Sequence, residues 1–269
     1  MIFLSQLIIF FTICSFLGWL AETIYCGIGD RKFTYRGFLY GPVCPIYGFG
    51  AVIVYILLGK DSFLGDLKLN VIEVFFCGMI LASILEYITS YILEKVFHMK
   101  LWDYSHHIFN INGRVCLLNS TLFGLLSVFI VEYLEPMLKR FIGGMPSKIT
   151  YPLSIIITII FLIDLTFTVA HLLHLKDHLV RFEDIKSRFK EFNIQVKEFT
   201  EVEYEKIKTE VQERKKKGKD IKKLNELMMK LDLLKNEAKK NRRILKAFPH
   251  AKHSKNNTNF KEFKDFINK

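Results

Sequence analysis

The chain has 269 residues, 51% of them hydrophobic, with 38 basic against 27 acidic side chains and a formal net charge of +11. Taken alone, those figures suggest one or two ordinary soluble domains. Five scattered cysteines without a C-x-x-C pair give neither a disulfide scaffold nor a zinc or dithiol motif. The averages conceal a division near residue 175. The first 175 residues hold 11 basic and 11 acidic side chains, so the tail, with 27 basic and 16 acidic ones, carries the whole excess.

In chain order, Ile2 to Leu20 is uncharged and predicts a spanning helix reaching about Tyr25, since crossing a bilayer takes about 20 mostly apolar residues. It lacks a basic start and a clear small-residue cleavage site, and further apolar runs follow, so a retained helix is expected rather than a signal peptide. Glu22 falls near its inner end. The stretch "RGFLYGPVCPIYGFG", Arg36 to Gly50, is apolar and aromatic yet holds four glycines and two prolines. Non-helical backbone survives at membrane depth only where it is buried in protein or lines a cavity. Gly41, Pro42 and Pro45 therefore predict an irregular, partly re-entrant start to a second span, Gly41–Leu58. Gly48 and Gly50 predict close helix packing beyond it. Such an element presents backbone groups, Arg36 and Tyr47 toward Glu22 and Glu86, either to bind a ligand or simply to pack.

The third span, Val71–Phe97, contains Glu73, Glu86 and Glu94. Glu86, Ser90 and Glu94 recur every four residues and share one helix face. Glu86 has about 11 Å of apolar helix on either side. A lone charge there costs a few kcal/mol, so it is expected to be neutral or paired with Arg36 or Arg114. Glu94, beside Lys95, reads more simply as a headgroup-level residue. Next comes "MKLWDYSHHIFNINGRVC", with Trp102, Tyr104 and Phe109 among Asp103, Asn110, Asn112 and Arg114. It reads either as an interfacial anchor or as a lid whose Asp103 and Arg114 meet the buried carboxylates. "NING" predicts a turn just before Arg114. Leu117–Leu134, containing Glu132, and Tyr151–Leu175 are the fourth and fifth spans. Asp164, Thr168 and His171 form a polar stripe on the fifth. His106 and His107, with His171 and His174, are weak metal candidates by spacing alone; such helix-end pairs more often bind nothing, and no metal or cofactor is expected.

After 175 the physics changes. Ile185, Phe189, Phe192, Val196, Phe199 and Val202 make a heptad-like seam. "KKKGKD" breaks it at Gly218, and Ile221 to Ala238 repeats an apolar face, predicting an antiparallel helical hairpin. The end, from about Pro249, is polar and expected to be disordered. The expected organisation is a membrane helix bundle over 1–175, a basic cytoplasmic helical hairpin or coiled coil over 176–248 and a disordered tail over 249–269. The fold class is all-α and polytopic, with about five spans. A cytoplasmic basic tail puts the N-terminus outside the cell membrane. Anionic lipid heads attract juxtamembrane lysines and arginines by about 1 kcal/mol each. No nucleic-acid module or base-stacking platform is present, so nucleic acid is not an expected partner.

Four linked stretches, "FLGWLAETIY", "RGFLYGPVCPIYGFGAV", "LEYITSYILEKVF" and "WDYS…FNINGRVCLLNSTLFG", resemble in order and spacing the CmpB-like type IV ABC-transporter family of small membrane proteins. The resemblance covers about residues 10 to 135, with the fifth span as its continuation and the tail outside it. It implies a permease component and assigns no residue roles. The chain has no G-x-x-x-x-G-K-[ST] loop, so energy from ATP would require a separate ATPase subunit. A chain of five spans is small for a complete transporter, which favours a homo-oligomer or larger membrane complex.

Three functions follow from these residues. The first is a permease-like or transport-associated protein with a polar centre of Glu22, Arg36, Tyr47, Glu86, Asp103 and Arg114. The second is a membrane enzyme acting on a lipid or other amphiphile, with Glu86 or Asp103 as acid or base. The third is an anchor or sensor that recruits a partner through its tail.

Overall fold

The computed structural model describes residues 2–30, 35–60, 69–191, 201–216, 222–239, 242–248, 251–253 and 263. They form helices α1 (Ile2–Asp30), α2 (Pro45–Leu58) and α3 (Val71–Phe97), then short strands β1 (Met99–Lys100), β2 (Asn110–Ile111) and β3 (Val115–Cys116). Helix α4 (Leu117–Phe129) runs through a π-helical turn, Ile130–Leu134, into α5 (Glu135–Gly143). Then come α6 (Ser147–Glu191), α7 (Glu201–Lys216), α8 (Lys222–Ala238), α9 (Arg242–Ala247) and strand β4 (Lys252–His253). The fold is all-α apart from these two-residue strands.

Among the described residues, four helical stretches, Ile2–Ile28, Val71–Phe97, Leu117–Gly143 and Ser147–Phe189, are long and apolar enough to cross a membrane. The expected second span is different. Its helix α2 has 14 residues, about 21 Å at the helical rise, against a hydrocarbon core of about 30 Å. Irregular chain precedes it from residue 35 to Cys44. Pro45 opens the helix, where its missing N–H costs nothing. The prolines that would break a helix interior thus start one.

The chain divides into two compact units. The first comprises residues 1–92 and 102–169, the second 93–101 and 170–269. In the first, α1 and α2 pack closely around Ile9, Phe10, Cys14, Ala51 and Val54, joined by Val74, Ile130, Val131 and Leu138. Small residues set these approaches. A Cβ on Gly48 would lie 2.7 Å from both the Phe11 ring and the Phe11 carbonyl oxygen and would also strike Ser15 Oγ. A Cβ on Gly124 in α4 would lie 2.8 Å from the Phe75 ring of α3. Close packing of small residues is what holds helices together where lipid is as apolar as the side chains. The π turn leads into Glu135, only 1% exposed, whose Oε1 accepts from Lys139 Nζ at 2.6 Å. Lys139 also stands 5.1 Å over the Tyr55 ring. Beside this pair lies a cavity of about 70 Å³ with Phe3, Leu7, Phe10 and Ile142 in its wall.

In the second unit, Leu172, Leu175, Leu179, Phe182, Ile185 and Phe189 form a buried stripe along α6 at spacings of three and four. Ile207 and Val211 of α7 and Leu224, Leu227, Leu231 and Leu234 of α8 are buried likewise. His178 and Arg181 approach Glu237 at 3.6 and 3.8 Å, and the Tyr204 hydroxyl donates to Asp232. The seam foreseen from Ile185 onward therefore begins inside α6, because the apolar run of the fifth span passes into the heptad pattern with no helix-breaking residue. Its members Phe192, Val196 and Phe199, and the turn at Gly218, lie outside the described residues. Within the stretch expected to be disordered, Lys252–His253 pairs antiparallel with Met99–Lys100. Phe263 is buried with its ring 5.2 Å from that of Phe182.

Candidate functional site

The irregular segment before α2 ties part of its backbone to the neighbouring helices. Cys44 N–H donates to the Ser15 carbonyl of α1 at 2.9 Å. Tyr40 N–H and Gly41 N–H donate to Asp164 Oδ1 and Oδ2 of α6 at 2.8 and 2.6 Å, and Thr168 Oγ1 lies 3.2 Å from Asp164 Oδ1. Gly37, at φ +107°, takes a backbone conformation that other residues adopt only with strain. One carboxylate inside an apolar helix thus supplies the acceptors that a broken helix lacks, and the two amide donors supply what a buried carboxylate needs.

That scaffold holds Cys44 and Tyr47 against α1. The Cys44 thiol contacts Glu22 Oε2 at 3.5 Å. Glu22 feels the positive charge of Arg36. Gly18 leaves room for Tyr47, whose ring occupies the position a Cβ there would take. The Tyr47 hydroxyl lies within electrostatic reach of both Glu22 and Glu86. Glu86, 4% exposed, sits two residues beyond the midpoint of α3. Its Oε1 meets the Tyr104 hydroxyl at 3.3 Å, and its Oε2 has no hydrogen-bond partner among the described residues. Burial pushes the Tyr104 phenol above its ordinary pKa, so this group keeps its proton through the physiological range.

Tyr104 precedes the hairpin of β2 and β3 and is tied to its turn, its N–H donating to the Gly113 carbonyl at 2.8 Å. Arg114 N–H donates to the Ile111 carbonyl at 3.0 Å around Asn112 and Gly113, both at positive φ (54° and 67°). This is the primed turn that Asn-Gly favours. Asp103 Oδ1 accepts from Ser105 N–H at 3.1 Å within the same segment. Trp102 Nε1–H donates to the Arg114 carbonyl at 3.0 Å, and Asn112 Nδ2 donates to the Tyr87 hydroxyl at 3.0 Å. Arg114 lays its guanidinium over α3, 5.6 Å from the Tyr87 ring centre and 5.5 Å from that of Tyr91, with Nη1 donating to Ser90 Oγ at 3.2 Å.

The structure therefore brings Glu22, Arg36, Tyr47 and Glu86 together. Arg114 packs on α3 one helical turn beyond Glu86, and Asp103 lies in the segment before the hairpin, accepting from Ser105 N–H. The pairing differs from expectation: neither Arg36 nor Arg114 forms an ion pair with Glu86 among the described residues. Arg114 is taken up by aromatic faces and a hydroxyl, and a phenol occupies the carboxyl. Sequence reading passed over Cys44, Tyr104 and Asp164 as members of this centre. Tyr104 carried a readable signal, a polar-tipped aromatic beside the NG turn. His106 and His107 are exposed hairpin residues, while His171 and His174 lie on the second unit's part of α6. No group of three or more potential metal ligands occurs among the described residues. Replacing Tyr104 with Phe removes a single hydrogen bond, and a loss of about 1 kcal/mol is expected, read as a small drop in the melting temperature of the detergent-solubilised protein.

The family model described as "Putative ABC-transporter type IV" matches residues 9–169, which contain the whole of this centre. No curated protein and no solved structure matches the chain.

Proposed function

The chain belongs to this type IV ABC-transporter family, and from that premise we propose that it is a permease-like subunit whose buried polar centre handles a polar solute. Its long apolar helices and its family make it a membrane protein associated with transport. In the proposed arrangement it is multi-pass in the cell membrane, with the N-terminus outside and the basic tail in the cytoplasm. A separate ATPase docks from the cytoplasm, since the chain has no phosphate-binding loop of its own. The subunit works in a homo-oligomer or larger complex surrounded by membrane lipid.

The observation that carries this reading is Glu86, an almost fully buried carboxyl near the middle of an apolar helix with one oxygen unpartnered among the described residues. Asp164, half-buried on α6, by contrast has both oxygens engaged by two amides and a hydroxyl. Ionisable groups left under-satisfied at this depth mark pathways for ions and solutes. Capture of the full-length chain from its native membrane, with identification of co-purifying proteins, tests the proposal. A nucleotide-hydrolysing partner retained by the wild-type chain is the expected result. Recovery of the chain alone from gently solubilised membrane contradicts it, and a partner found only on the extracellular side reverses the proposed orientation.

A further inference from the structure

Resting on the reading just given, the geometry points to the class of solute: we propose that the polar centre takes an organic cation, with Glu86 exchanging a proton for it. Four observations converge. Glu86 is 4% exposed, and its Oε2 has no hydrogen-bond donor among the described residues, so the acceptor open to a ligand belongs to a carboxyl. The cations of the centre lie elsewhere than on Glu86: Arg36 is within electrostatic reach of Glu22, and Arg114 is held by Ser90 and two tyrosine faces. An anion arriving there would have to displace these contacts and would face two carboxyls. The groups around Glu86 are aromatic, with the hydroxyls of Tyr47 and Tyr104 within electrostatic reach of each other and of Glu86, and the Phe123 ring 6.2 Å from that of Tyr47. A buried carboxyl with an open oxygen, lined by the hydroxyl ends of aromatic residues and with no cation paired to it among the described residues, is the chemistry that takes an organic cation.

A lone buried charge costs more than taking up a proton, so the empty centre holds Glu86 as the neutral acid. The exchange is balanced. The carboxyl O–H bond breaks, its proton leaves, and the resulting carboxylate pairs with the incoming cation without any change of oxidation state or net charge. Tyr104 gives the proton a way out. Its hydroxyl touches Glu86 Oε1, it is half-buried, and a phenol accepts from the acid and donates to the carboxylate. Among the described residues, the titratable and charged groups around Glu86 are Tyr104 before the hairpin, Tyr47 from α2, Cys116 beside Tyr104, Glu22 and Arg36 beyond Tyr47, and Arg114 one helical turn along α3. The neighbouring face of α4 presents Ser120 and Phe123, which do not titrate.

Tetraphenylphosphonium is a suitable probe, titrated calorimetrically into the full-length protein in phosphatidylcholine nanodiscs, with empty nanodiscs subtracted. Two buffers of different ionisation heat count the protons. The expected result is saturable binding with one proton released per cation and, as linkage requires, affinity falling by up to about tenfold for each unit of pH below neutrality. Glu86→Gln should release no proton and bind about tenfold to a hundredfold more weakly, the effect of losing a charged contact. Its melting temperature, taken alongside, reports that the variant is folded. Binding without proton release in the wild-type protein overturns the proposal, whatever the variant does. So does absence of binding, or binding of dodecyl phosphate that depends on Arg114 and excludes the cation. In each of those cases a co-purifying ATPase would leave the transport reading standing.

Discussion

Gly48→Leu is expected to be the most damaging single change in the first unit. The new Cβ meets Ser15 Oγ, the Phe11 ring and the Phe11 carbonyl oxygen, and backbone cannot swing aside as the end of a flexible side chain can. Overpacking typically costs 1–3 kcal/mol, and this site belongs at the upper end. A loss of about 3 kcal/mol lowers the melting temperature of a chain this size by about 6–12 °C and removes a large share of a total stability of about 5–15 kcal/mol. Separation of α1 from α2 would also carry Cys44 and Tyr47 away from Glu22. Gly50→Ala is the control: its Cβ meets Leu85 Cδ2 at 3.7 Å, an ordinary contact, and a change within about 0.5 kcal/mol is expected. Thermal unfolding in detergent compares the two, and equal stability would show that α1 and α2 are not packed as described.

Asp164→Ala is the second. It leaves the amides of Tyr40 and Gly41 without their acceptors. An orphaned buried donor costs about 1–3 kcal/mol. Tyr40 is exposed and Gly41 only half-buried, so a total near the lower end, about 1 kcal/mol, is expected. Asp164→Asn keeps one acceptor oxygen but turns an N–H toward the other amide, and should fall between Ala and the wild type. Amide hydrogen exchange reads this locally. Tyr40 and Gly41 should lose protection in Asp164→Ala while the α2 amides keep theirs. Unchanged exchange at both residues would mean that Asp164 does not anchor the segment.

How much of this was legible can be seen residue by residue. The apolar runs gave the long helices because each residue's hydropathy is local information. Gly41, Pro42 and Pro45 gave the irregular lead-in to α2, since proline chemistry acts on its immediate neighbours. Asn112 and Gly113 gave the hairpin turn for the same reason. Glu86 stood out because a carboxyl amid apolar helix is conspicuous without any partner in view. Its partner was not legible. Tyr104 lies 18 residues away and reaches Glu86 from a loop tied to the hairpin turn at Gly113, a path that no periodicity encodes. The tie from Asp164 to Tyr40 and Gly41 spans more than 120 residues and depends on how α6 packs. Arg114 was assigned to a carboxylate by charge alone, whereas the tyrosine faces of α3 compete for a guanidinium that is already partly desolvated. The composition change near residue 175 marks where polarity shifts, but α6 continues through it, because hydrogen-bonded helix is indifferent to whether its outer face meets lipid or water.

The central claim is that Glu86 works rather than merely packs. ATP turnover by the complex captured from native membrane, compared between wild type, Glu86→Gln and Arg114→Ala, tests it most directly. Both variants should insert, fold and keep the ATPase, with solute-dependent turnover reduced about tenfold or more, as expected when one charged contact is lost. Wild-type turnover in a folded Glu86→Gln complex would contradict the account.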